Sequence, residues 1–145
     1  HTAAGIDGLL CVDCPPGEEP DLSEALRSQG IAPILLAAPT TPPERVAQLS
    51  NQGDGFLYYV SMTGITGSGL RDPAAIGKEL QIVRAQSALP VAVGFGIATP
   101  EDAQALAPFA DGVVVGSALV RLVEQHGEHA AGPIREAVAA LKNAL

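Results

Sequence analysis

Five short apolar runs recur along the chain: Gly8 to Asp13, Ala32 to Ala38, Gly55 to Ser61, Pro90 to Gly96 and Gly112 to Gly116. Each is nearly continuous rather than alternating, the pattern of parallel strands covered on both faces. Between the runs lie amphipathic stretches with their own start signals. Asp21 with Glu24, Thr41 with Glu44, and Thr99 with Asp102 each place a capping oxygen before a helix and an acid three residues on. Pro42, Pro73 and Pro100 follow Thr41, Asp72 and Thr99, at the first helical position, where a missing N–H costs nothing. Gly30 and Gly53 read as C-cap or turn residues. The predicted helices are Leu22 to Gln29, Pro43 to Asn51, Pro73 to Gln86, Pro100 to Ala107, Ala118 to Gln125 and Pro133 to Asn143.

This is a (βα) unit repeated five times with an extra helix at the end, an α/β chain with a parallel sheet. The long interval between the third and fourth runs is taken up by one extended loop, Ser61 to Arg71. Such units build either an open doubly wound sheet or part of an eight-stranded TIM barrel, which needs about 250 residues. Length alone favours the open sheet, and the loops favour the barrel.

Composition narrows the function classes. The 145 residues are 47% apolar and 17% charged, enough to bury the core of a single domain spanning the whole chain and too apolar for disorder. With 8 basic against 16 acidic side chains the net charge is −8, and there is no Lys/Arg cluster. Nucleic-acid and anionic-membrane binding are therefore disfavoured. No apolar run approaches the roughly 20 residues of a membrane-spanning helix. Cys11 and Cys14 form a CxxC, but Cys11 sits in the apolar run Leu9-Leu10-Cys11-Val12 rather than at a helix start, and only His126 and His129, far along the chain, could complete a zinc site. Both thiols are expected to be structural, with no metal, in a chain suited to a reducing, cytoplasmic setting.

Chemistry in either architecture belongs at the carboxyl ends of the strands. Three of the loops there are glycine-rich: Thr63-Gly64-Ile65-Thr66-Gly67-Ser68-Gly69, Gly94-Phe95-Gly96-Ile97 and Gly116-Ser117-Ala118. Missing Cβ atoms let backbone N–H groups approach a ligand, and the last loop opens directly onto a helix, whose N-terminus favours anions. Each loop alone could be a tight turn or a plain helix cap. Together, after successive strands, they predict a phosphate site built from neutral donors. Tyr58 and Tyr59 are neighbours on one strand, so one faces the interior and the other the helix layer. Phe95 is either a plug for a barrel mouth or a face for a planar substrate. Asp13, the one ionisable side chain at a strand end, is either a loop cap or a general base.

With these residues in hand, the chain resembles the tryptophan synthase alpha subunit family, from its fourth βα unit to its C-terminus. The marks are Gly5-Ile6-Asp7-Gly8-Leu9-Leu10-Cys11-Val12-Asp13-Cys14-Pro15, similar to the family's GVDGVLVADVP, and Ile31-Ala32-Pro33-Ile34. Tyr58-Tyr59-Val60-Ser61 leading to Gly64-Ile65-Thr66-Gly67, Gly94-Phe95-Gly96-Ile97 and Gly116-Ser117-Ala118-Leu119-Val120 complete the series in order and spacing. The resemblance implies a (β/α)8 barrel that cleaves indole-3-glycerol phosphate to indole and glyceraldehyde 3-phosphate, needs no cofactor, and passes indole to a beta subunit. It also implies that Gly67, Gly96, Gly116 and Ser117 hold the phosphate and that Leu10, Tyr58 and Phe95 line the indole pocket. By the same resemblance Thr66 hydrogen-bonds the catalytic aspartate from a mobile loop, and Asp13 and Pro15 lie near the beta-subunit interface. Met62 stands where many members carry arginine, so that loop anchor does not carry over.

The family's catalytic glutamate and aspartate come from its second strand and the loop after it, which the resemblance places upstream of His1. The expectation is therefore a lyase subunit holding substrate without its own acids, inactive alone. Two alternatives are a non-catalytic half-barrel that self-associates through open strand edges, and another phosphate-binding (βα) enzyme such as a sugar-phosphate epimerase or isomerase.

Overall fold

The computed structural model describes residues 5–12, 20–61, 72–94 and 96–145. Within them, five strands, β1 (Gly8–Leu10), β2 (Ala32–Ala37), β3 (Leu57–Val60), β4 (Val91–Gly94) and β5 (Gly112–Val114), alternate with helices. These are α1 (Pro20–Ser28), α2 (Pro43–Gln52), α3 (Pro73–Gln86), α4 (Pro100–Leu106), α5 (Ser117–His126) and α6 (Ala131–Asn143), with a short 3-10 turn over Gly127–His129 before the last. Every run predicted as strand contains one, trimmed at its ends.

The sheet order is β1-β2-β3-β4-β5 and every pair is parallel. A doubly wound sheet reverses direction at a switch point; this one never does. Each strand adds beside its predecessor, which is the winding of a barrel wall. The sheet is thus five consecutive units of a TIM-type barrel, and the open-sheet reading suggested by length is set aside.

Period-2 alternation gives each strand two faces. Leu35, Ala37, Leu57, Tyr59, Val91 and Val93 point outward and pack with Val46 and Leu49 of α2, Ile76, Leu80 and Val83 of α3, Ala103 and Leu106 of α4, and Leu141 of α6 in one buried cluster. Leu36, Tyr58, Ala92 and Gly112 form a register row on the other face, and all four are half-buried. At the flank, Leu9 of β1 is 40% exposed. The amino ends of β4 and β5 are tied to each other and to α3 by Asp111, whose carboxylate accepts from Val91 N at 2.8 Å and from Arg84 Nη2 at 2.8 Å.

The helix starts correct part of the sequence reading. Thr99 and Asp102 do form a reciprocal capping box: Thr99 Oγ1 accepts from Asp102 N at 3.2 Å, and Asp102 Oδ2 accepts from Thr99 N at 2.9 Å. Asp72 caps α3 through Ala74 N at 3.0 Å. The expected cap at Thr41 is not one. Two successive prolines push the start of α2 to Pro43, leaving Pro42 at the N-cap without a side-chain bond, and Thr41 Oγ1 accepts instead from Ala38 N at 2.9 Å. Asp21 is also not an N-cap, because α1 already begins at Pro20, whose fixed φ suits the first helical position.

Candidate functional site

The site is set by register. Val60 pairs with Gly94 and Gly94 with Val114, so β3, β4 and β5 end at one level. Gly96 and Gly116 each lie two residues past that level, at the carboxyl ends of adjacent strands. Gly96 has φ +82°, a left-handed conformation that side chains other than glycine's resist. Beside Gly116 there is open space: a Cβ built there meets nothing within 4 Å. Ser117 is the first residue of α5, and the first intrahelical bonds run to the Gly116 carbonyl from Leu119 N at 2.9 Å and Val120 N at 3.1 Å. The amides of Ser117 and Ala118 precede those donors and have no acceptor within the helix. The arrangement offers neutral N–H groups and a helix dipole to an anion.

The two tyrosines separate as their adjacency predicts. Tyr59 is 1% exposed on the outer face, where its hydroxyl donates to Glu79 Oε2 of α3 at 2.8 Å. Tyr58 lies on the inner face with its phenol against Gly94, so close that a methyl group at Gly94 would overlap the phenol oxygen. Burial pushes the Tyr58 phenol above its ordinary ionisation range, so it stays neutral near pH 7. Leu10 closes β1 opposite Ile34 and is half-buried.

Of the residues singled out from sequence, Leu10, Tyr58, Gly96, Gly116 and Ser117 fall in the described part, and Thr66, Gly67, Phe95, Asp13, Pro15 and Met62 fall outside it. Cys11 does not sit within a strand as expected: β1 ends at Leu10, and Cys11 is exposed just beyond. Among the described residues no group of three or more His, Cys, Asp or Glu could hold a metal ion. No described helix is long and apolar enough to cross a membrane.

One residue to which sequence reasoning gave no role is Ser61. It follows the last residue of β3, is 0% exposed, and directs both its N–H (3.1 Å) and its hydroxyl (2.8 Å) onto the Gly94 carbonyl. Its sequence signal is faint, a hydroxyl closing an otherwise apolar run.

The family model described as tryptophan synthase alpha chain matches residues 1–144. A tryptophan synthase alpha chain from Novosphingobium aromaticivorans is 51% identical over 142 residues, covering 98% of this chain and 53% of that one. One from Halorhodospira halophila is 48% identical over 145 residues, covering 99% and 53%. Among solved structures, the tryptophan synthase subunit alpha of Legionella pneumophila superposes with a TM-score of 0.86 at 34% identity, covering 99% of this chain and 53% of that one. The tryptophan synthase a2b2 complex of Pyrococcus furiosus gives 0.85 at 36% identity, with 98% and 58% covered. The chain thus spans about half the length of the relatives it matches. The parallel winding, the glycine-lined strand ends and the match across residues 1–144 together show that this chain belongs to the tryptophan synthase alpha chain family.

Proposed function

We propose that this chain carries the substrate-holding part of a tryptophan-biosynthetic lyase that cleaves indole-3-glycerol phosphate to indole and glyceraldehyde 3-phosphate. The observation that carries the reading is the placement of Gly96 and of Gly116-Ser117 just past the paired ends of two adjacent strands, in a chain of this family. There the backbone N–H groups of Gly96, Gly116 and Ser117, with Gly67, hold the phosphate without a cationic side chain. Neutral donors suit an anion that must be gripped in substrate and released in product. Leu10, Tyr58 and Phe95 enclose the indole, the neutral Tyr58 ring giving it an apolar wall.

Fixing both ends of the substrate holds the carbon–carbon bond between the indole and the glycerol moiety in line with the groups that move protons, and positioning of this kind supplies a large part of such a barrier. In this reading a glutamate that moves protons on the glycerol side and an aspartate that engages the indole N–H are supplied by residues outside these 145. Thr66 positions that aspartate from the loop after β3. Asp13 and Pro15 lie at the contact with a beta subunit, to which the indole passes. No cofactor takes part.

The test is complementation. The chain is expressed joined to, or mixed with, the N-terminal half of a family member, and indole release from indole-3-glycerol phosphate is followed. Release with both parts and none from the chain alone is the expected result. No release from a folded, complemented barrel overturns the reading.

A further inference from the structure

We infer that Ser61 is a positioning residue for the loop after β4, holding Gly96 in its ligand-ready geometry; this deepens the phosphate reading above and rests on it. Two donors from one residue converge on the Gly94 carbonyl, the Ser61 N–H at 3.1 Å and the Ser61 hydroxyl at 2.8 Å. The backbone bond alone satisfies that carbonyl as a ladder partner. The hydroxyl is therefore not needed to avoid an orphaned acceptor, yet it is completely buried, and burying a hydroxyl is unfavourable unless its bond returns the cost. What a second donor adds is direction. It fixes the orientation of the Gly94 carbonyl, two positions before Gly96 at φ +82°.

On the inner face Tyr58 closes the remaining freedom, since its phenol lies against the Gly94 α-carbon. Gly94 is thereby held by β3 through its carbonyl and through its α-carbon. Ser61 is the hinge of that grip, because it stands immediately after the last residue of the same strand that presents Tyr58. Gly96 is then preorganised, and a ligand binding there need not order it first.

The experiment compares the full chain with Ser61→Ala, Ser61→Cys and Ser61→Thr. Cysteine keeps the volume with a weak donor, and threonine keeps the hydroxyl. Two measurements are made on each: 15N relaxation of the Gly96 amide without ligand, and titration with glycerol 3-phosphate and with inorganic phosphate. Expected for Ser61→Ala and Ser61→Cys is a drop of the Gly96 order parameter from the rigid range near ~0.85 toward ~0.6. Phosphate affinity should weaken about fivefold, the change that loss of one ordinary hydrogen bond corresponds to, and threonine should restore both. An unchanged Gly96 amide in the folded alanine or cysteine variant overturns the inference. A wild-type chain that binds neither phosphate probe, while Ser61→Ala still loosens Gly96, overturns the phosphate reading and Ser61's role toward a ligand, and leaves only the clamp on the strand.

Discussion

The two faces of one sheet have been put to different uses. Leu57, Tyr59, Val91 and Val93 on the outer face are buried to within 1% by the helices, while Leu36, Tyr58, Ala92 and Gly112, the register row that faces the other way, are half-buried on the inner face. The outer face is packed with apolar side chains, and the polar groups buried with them among the described residues are bonded: the Tyr59 hydroxyl donates to Glu79, Ser61 to the Gly94 carbonyl, and Ser50 Oγ accepts from Ala88 N. The inner face holds a neutral phenol, glycines and the approach to the strand ends. The outer face supplies stability, and the inner face and the strand ends above it carry the proposed site. Alternation along an apolar strand is what lets one short segment, Leu57–Val60, do both.

Substitutions on the two faces should therefore part in kind as well as in size. The largest loss is expected from Leu57→Ala, which leaves a cavity among α2, α3 and the sheet. About 2–5 kcal/mol of stability should go, read as a lower urea midpoint, and a loss under ~1 kcal/mol would mean that the outer face is not the close-packed core described. Next comes Gly94→Ala, whose added methyl group collides with the Tyr58 phenol. A cost of roughly 1–3 kcal/mol is expected from overpacking. It should shrink when Tyr58→Ala is added, so additive effects in the double-mutant cycle would show that the two residues do not touch.

Thr99→Ala tests a device that belongs to neither face. Removing one half of the capping box on α4 should cost about 1 kcal/mol, whereas Thr41→Ala should leave α2 with no capping loss, since Thr41 bonds Ala38 instead. Equal helix destabilisation by the two changes would contradict these geometries.

The smallest effect near neutrality is the titration of Tyr58. Burial raises its folded pKa above the unfolded value, so the unfolded chain ionises first as pH rises. Stability is unaffected below the ordinary phenol range, falls as pH passes through it, and stops falling above the folded pKa. Tyrosine 13Cζ NMR should place the Tyr58 midpoint above that of a free phenol, and Tyr58→Phe should flatten the alkaline decline. A midpoint at or below the free value would mean that the inner face is open to water at this position.

Most of the wall of the barrel was legible in the sequence, because parallel strands under helices must be apolar on both sides and so stand out as unbroken runs. The cap at Thr99 was legible for a local reason, a threonine and an aspartate at fixed spacing with one proline between. The same signals failed at Thr41 and at Asp21, where neighbouring prolines shifted the helix starts and so reassigned the side chains. In the site, Gly96 and Gly116-Ser117 were found from their glycines and their places after strands. Ser61 was missed because its partner is 33 residues away along the chain, and no local pattern announces a bond made across two strands.

The sequence by itself determined the strands and helices, the glycine-rich strand ends and the family, for these rest on local periodicity and short motifs. Length alone pointed to an open sheet, while the glycine-rich loops and the family resemblance pointed to a barrel wall. Hydrogen-bonded pairing, which depends on what lies beside each strand rather than along it, bore out the barrel by laying all five strands in chain order. The same pairing sorted Tyr58 from Tyr59, set Tyr58 against Gly94, and brought Ser61 onto the Gly94 carbonyl. Register is a relation between strands, and it is register that turns a list of glycines into a site.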